Sequence, residues 1–291
     1  MKNKNTIPIL SILWACIIWW LNGIFVNTLD LPTSQQTFFR LLVPTLITGW
    51  IILLTYKKET KNIRFKASDI LTISGANALR MYLLNLGFIM TTVGNAVIAQ
   101  RSNAILIIIL AAIFLHEKIT KTKIVSLIIG FIGLIIIASE KWISLDNKNF
   151  LWVLSIVWAA TISSYLNIQY KQKIHHIGAT QTIFLQSFLG VIIFGLFSFS
   201  VYPVPELQKI LLALIHSFFI GFVGFYLYFW GLKHMEVGKI TLLTFSEVIF
   251  GTFFGYVFLT QIPSLYTYLG ISCILMSGII LSLKNKKTHQ Q

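Results

Sequence analysis

"SILWACIIWWL" (residues 11–21) returns 144 residues later as "SIVWAATISSY" (residues 155–165), so that Ser11, Trp14 and Ala15 fall on Ser155, Trp158 and Ala159. The same shift sets Tyr82 on Tyr226, Gly87 on Gly231 and Val93-Gly94 on Val237-Gly238. A shift of 146 sets "QTFFRLLVPTLITG" (36–49) on "TIFLQSFLGVIIFG" (182–195). Self-similarity at a fixed offset marks an internal repeat, and it divides the chain into residues 1–145 and 146–291.

The repeated unit is apolar. The 291 residues are 56% hydrophobic and 11% charged, with a mean hydropathy of +0.79, whereas a soluble domain carries about 25% charged residues. Crossing a hydrocarbon core of about 30 Å takes about 20 apolar residues in a helix. Ten such runs are centred on 7–28, 36–56, 69–91, 94–115, 122–139, 150–170, 179–201, 207–230, 237–259 and 263–283. Their continuity excludes a transmembrane barrel, whose strands alternate and need only about 10 residues. The sequence predicts an all-α integral membrane protein of ten transmembrane helices. "MKNKN" before the first span resembles the basic end of a signal peptide, but no small-x-small cleavage site follows, so this span reads as a retained helix. Cys16 and Cys273 lie inside spans and read as packing residues.

The net charge of +14 is distributed by side. Seventeen Lys and Arg residues fall in the termini and in the loops around 57–66, 118–123, 171–173 and 233–239, against three (Lys141, Lys148, Lys209) in the alternate loops. By the positive-inside rule both termini are cytoplasmic and the even span count is consistent. The basic excess orients the chain and does not call for nucleic acid; a lipid-headgroup contact at 57–66 stays open. Five spans per half place the second copy upside down relative to the first. Such an inverted repeat lets two similar halves exchange conformations and open a central site to each side in turn.

With the tryptophan in the first helix of each half, "FFRLL" (38–42) early in the second helix and "IFLHEKIT" (113–120) closing the fourth, the whole chain resembles the EamA family of the drug/metabolite transporter superfamily. The resemblance implies a ten-helix inner-membrane transporter of small metabolites such as amino acids or related compounds, export being the commoner direction. Ala104 and Val248 stand where that family often places prolines in the fourth and ninth helices, and Gln261 replaces the acid represented by Glu117. Helix-breaking as a route to the binding site is therefore not expected, and side chains have to supply the site.

Four charges lie within spans, and each costs about 2.5–3.5 kcal/mol at a helix centre on insertion scales. Glu247, ten residues into its span, lies about 15 Å deep. Under the 144 shift it falls on Asn103, and Thr244 falls on Gln100; each pair is spaced i, i+3 on one helix face. The two stripes read as lining for a cavity, the alternative being hydrogen-bonded helix glue. Arg80 shares a face with Asn77 and either neutralises Glu247, meets a substrate carboxylate or forms a structural pair. Arg40, near the periplasmic start of its helix, reads as a structural residue that snorkels to the headgroups. Arg101, about 200° round the helix from Asn103, either snorkels or guards the entrance. Glu117, with Lys118, Lys121 and Lys123 nearby, reads as a solvated ion pair. Tyr82 and Tyr226 line the cavity or pack in a core, and Trp14, Trp19 and Asn22 are similar candidates. His175 and His176 fall in a cytoplasmic loop. No phosphate loop, nucleophile motif or metal-ligand spacing occurs, so neither catalysis nor a cofactor or metal is expected.

These features predict a secondary active transporter, exporter or importer, working as monomer or homodimer, with a small molecule, a proton and membrane lipids as its partners. The alternatives are a membrane-embedded lipid-modifying enzyme and a non-transporting partner subunit.

Overall fold

The computed structural model describes residues 6–59, 67–90, 99–100, 102–139, 147–247, 249–250, 253, 257 and 264–285. Every regular element among them is helical, and no strand occurs. The apolar runs become the helices Thr6–Leu29, Thr33–Glu59, Ala76–Met90, Asn103–Leu115, Lys121–Ser139, Asn147–Val201, Leu207–His216, Gly224–His234, Val237–Leu243 and Leu265–Asn285. Among the described residues three stretches, Thr33–Thr55, Leu154–Val201 and Leu207–His234, are long and apolar enough to cross a membrane.

Asn147–Val201 is two helices joined at Gly178, whose φ of 79° and ψ of 176° are open essentially to glycine alone. The helix runs up to that residue, so His175 and His176 sit on its last turns and not in a loop. Asn103–Leu115 ends at His116, which adopts a left-handed φ of 55°. Histidine is one of the few side chains enriched in that conformation.

The chain divides into two compact units. Met1–Tyr82 and Gln169–His234 form the first; Leu83–Ile168 and Met235–Gln291 form the second. Each draws on both sequence copies. Equivalent positions share their environments: Trp14 and Trp158 are 57% and 62% exposed, Tyr82 and Tyr226 are 48% and 41% exposed, and Ala15 and Ala159 are both buried.

In the first unit two helices loosen into π-helical turns, Ile70–Gly75 and Ser217–Val223, a feature frequent at functional sites. Each carries a buried serine that reaches a neighbouring helix. Leu189 N–H donates to Ser74 Oγ at 2.7 Å, and Val43 N–H donates to Ser217 Oγ at 3.3 Å. Val43 and Leu189 are themselves 146 residues apart, so the same bond is made once per copy. Pro44 inside the Thr33–Glu59 helix has no N–H for the carbonyl four residues earlier. That carbonyl, of Arg40, accepts from Ser217 Oγ at 3.1 Å. Gly221 permits this approach: a Cβ there would run into the Arg40 carbonyl and come within 2.8 Å of Pro44.

In the second unit Lys121–Ser139 packs on Leu265–Asn285 through small residues, as helices do where close backbone approach supplies the attraction. Gly133 faces Gly270 and Cys273, and Ser277 Oγ donates to the Ser126 carbonyl at 2.6 Å. Ala104, Leu134, Leu242, Phe245 and Ile274 form the adjoining core.

Candidate functional site

The first unit encloses a small recess lined by Arg40, Leu41, Pro44, Asn77, Arg80, Met81, Gln186, Gly221 and Phe225. The i, i+3 spacing of Asn77 and Arg80 acts as helix geometry requires. Asn77 Oδ1 accepts from Arg80 Nε at 3.0 Å and from Nη2 at 2.9 Å, while Asn77 Nδ2 donates to the Gln186 carbonyl at 2.7 Å. A guanidinium has five N–H donors, and this neutral amide takes two. Among the described residues no carboxylate reaches Arg80. Tyr170 lies within electrostatic range of Arg80, and its buried hydroxyl has no hydrogen-bond partner among the described residues. Arg40, half-buried, lines the same recess. Trp19 joins an aromatic cluster, with ring centroids 5.1 Å from Phe225 and 5.3 Å from Tyr228.

The polar stripes lie in the second unit, and there the expectation of uninterrupted helices is wrong. Gln100 belongs to a helical stretch that does not continue into the helix beginning at Asn103. The junction is closed by i→i+3 bonds from Ser102 N–H to the Ala99 carbonyl (3.3 Å) and from Ile105 N–H to the Ser102 carbonyl (3.2 Å). Ser102 Oγ also donates to the Ala99 carbonyl at 2.6 Å. Val237–Leu243 ends at Thr244 in the same way, with Phe245 N–H bonded to the Leu242 carbonyl (3.2 Å) and Glu247 N–H to the Thr244 carbonyl (3.1 Å). Neither break has a proline. Small i→i+3 turns of this kind tighten a helix end and eclipse the side chains three residues apart, so Thr244 and Glu247, the two ends of one such turn, keep a shared face. All four side chains are half-buried. The Asn103 carbonyl accepts from Ser164 Oγ at 3.2 Å, and Thr244 Oγ1 donates to the Thr241 carbonyl at 2.7 Å, a bond within its own helix. Ala104 and Phe245, beside the two breaks, are buried in one core.

Glu117 is not a solvated charge. Its side chain is only 10% exposed. Glu117 Oε1 accepts from Val237 N–H at 2.7 Å and Oε2 from Gly238 N–H at 3.2 Å, so the carboxylate caps the positive end of the helix that leads to Glu247. Its cation is Lys123, at 3.5 Å, which also binds Glu236 at 2.8 Å. Burial pushes the Glu236 carboxyl up, but hydrogen bonds and charge from Lys123 and Lys239 outweigh it and hold the group below the usual carboxylate range. The left-handed turn at His116 brings Glu117 to this position.

Trp14, Tyr82 and Tyr226 are exposed, which removes core packing as a role for the two tyrosines. Arg101 and the side chain of Asn22 lie outside the described residues. Residues that sequence reasoning missed are Gln186, Tyr170, Ser74 and Ser217; of these only Gln186 carried a signal, since the 146 shift sets it on Arg40.

The model of the EamA-like transporter family matches residues 6–139 and again 150–283. The chain belongs to the EamA-like transporter family. It is 26% identical to an uncharacterized transporter of Bacillus subtilis, YxxF, across 98% of this chain and 92% of that one. It is 22% identical to an uncharacterized transporter of Helicobacter pylori strain 26695, across 97% of both. One solved crystal structure superposes with a TM-score of 0.81 at 14% identity, covering 97% of this chain and 98% of the other; that likeness is one of fold. This member of the family is thus a membrane transporter with the family sequence present twice.

Proposed function

We propose that this EamA-like transporter is a secondary active exporter of small metabolites such as amino acids or related compounds. It works in the bacterial inner membrane by alternating access of two inverted five-helix repeats, with ten spans and both termini cytoplasmic. Glu247 exchanges a proton for substrate. The observation that carries this reading is the pair of helix breaks, at 99–105 and 242–247, at equivalent positions of the two copies and with a carboxylate at one of them. Discontinuous helices at repeat-related positions are how transporters expose backbone and polar groups at mid-membrane, and an intramembrane carboxylate is a natural proton carrier.

The ion pairs support the orientation. Lys173–Asp69 at 2.9 Å, Lys123–Glu236 at 2.8 Å and Lys209–Asp30 at 3.1 Å each join residues that the positive-inside assignment puts on one side. An importer of the same fold differs only in the sign of the coupling. In proteoliposomes with an imposed pH gradient, wild-type flux follows the gradient and Glu247→Gln flux does not; gradient-driven transport retained by Glu247→Gln contradicts the coupling.

A further inference from the structure

The lining of the first unit's recess differs in charge between the two sequence copies. Six of its nine lining residues form equivalent pairs: Arg40 with Gln186, 146 residues apart, and Asn77 with Gly221 and Met81 with Phe225, each 144 apart. Arg80 corresponds to Gly224, which leaves room for Trp19. At each polar pair the first copy supplies the cation or amide and the second supplies a neutral side chain or empty space. Packing alone does not call for a guanidinium such as that of Arg80 beside a void in an apolar bundle, where a charge is costly.

We propose that this recess binds the carboxylate group of an amphipathic organic acid, the substrate class of the transporter, with Arg80 as the bidentate donor and Arg40 as the second charge. Three donors of Arg80 remain beyond Asn77, and the planar fork of a guanidinium matches two carboxylate oxygens. Asn77, fixed by the Gln186 carbonyl, sets the rotamer of Arg80. Leu41, Met81 and Phe225 supply apolar wall for the carbon skeleton. The Arg80 guanidinium disfavours a ligand whose only charge is a cation, such as an amine. The assignment rests on the transport reading for its use but not on Glu247, which belongs to the other unit.

The test is thermal unfolding of the full purified chain in detergent with 4-methylpentanoate, isopentylamine or chloride at matched ionic strength. A ligand of the native state raises the transition with concentration. 4-Methylpentanoate is expected to do so, and the amine and chloride are not. Arg80→Met is expected to weaken the apparent affinity about 10- to 100-fold, the range for a lost charge-assisted contact. Arg80→Lys loses part of it because it keeps charge without the fork. Arg40→Gln repeats the residue already tolerated at 186, so it decides the matter if Arg80→Met does not fold, and a loss of about tenfold is expected. No shift with 4-methylpentanoate, an equal shift with chloride or the amine, or a shift unchanged in Arg80→Met and Arg40→Gln overturns the proposal. Carboxylate binding that survives in Glu247→Gln while that variant still follows the pH gradient overturns the coupling alone. Absent binding beside normal Glu247-dependent transport overturns this site alone.

Discussion

In the first unit the Ile70–Gly75 and Ser217–Val223 turns widen, and each passes a buried serine to a backbone N–H of the helix beside it. In the second unit the helices around 99–105 and 242–247 tighten into three-residue turns instead, and Gln100, Asn103, Thr244 and Glu247 stand half-buried at the breaks. A widened turn whose spare groups are met by a neighbour ties two helices together. A tightened turn that ends a helix eclipses the side chains three residues apart. The first unit therefore ties its two serines into bonds between helices, and the second carries four half-buried polar residues where its helices tighten.

The steepest test of this contrast is Gly221→Val. Overpacking a close helix contact costs about 1–3 kcal/mol, and here the added atoms meet the Arg40 carbonyl and Pro44. A drop in the unfolding temperature of the purified protein by several degrees is expected, whereas Gly278→Ala, which meets nothing within 4 Å, is expected to be nearly silent. Next comes Glu117→Ala. It removes a helix cap worth about 1 kcal/mol and strips one partner from Lys123, which keeps Glu236. A loss of about 2 kcal/mol is expected in denaturant titration, and Glu117→Gln should recover part of it. Unchanged stability in Glu117→Ala means that the second-unit helix beginning at Val237 is not anchored there. The smallest effect is the most symmetrical: Ser74→Ala and Ser217→Ala should each cost about 1 kcal/mol by removing one hydrogen bond between helices, and by similar amounts. A large inequality between them breaks the equivalence of the two copies in the first unit.

Glu236 adds a pH dependence of known sign. Its carboxyl is held below the ordinary value of 4.5, so its contribution to stability is present above about that pH and is lost as pH falls through the lowered native value. Partly exposed and near the surface, it makes a small contribution, which salt weakens further.

Helix existence was legible because an apolar run of membrane length leaves the backbone little choice but to bond within itself. The repeat was legible because identities survive at Trp14/Trp158 and Ala15/Ala159, where exposure and burial are the same in both copies. The breaks were not, because the sequence signal sought was proline, whereas Ser102 and Thr244 make them through local i→i+3 bonds and side-chain bonds to the backbone. The π turns have no side-chain signature, and Ser74 and Ser217 are offset by 143 residues, one short of the shift that aligns the rest of that helix. That Arg40 also lines the recess was not legible, because the other lining residues come from distant parts of the chain.

The central claim, that the two breaks line one path opened to each side in turn, is tested most directly by labelling Asn103→Cys and Glu247→Cys in a Cys16→Ala, Cys273→Ala background with a membrane-impermeant thiol reagent, added to right-side-out or inside-out vesicles. The account predicts that each position reacts from both sides and that substrate shifts the balance between them. Positions 103 and 247 sealed from both sides would contradict it.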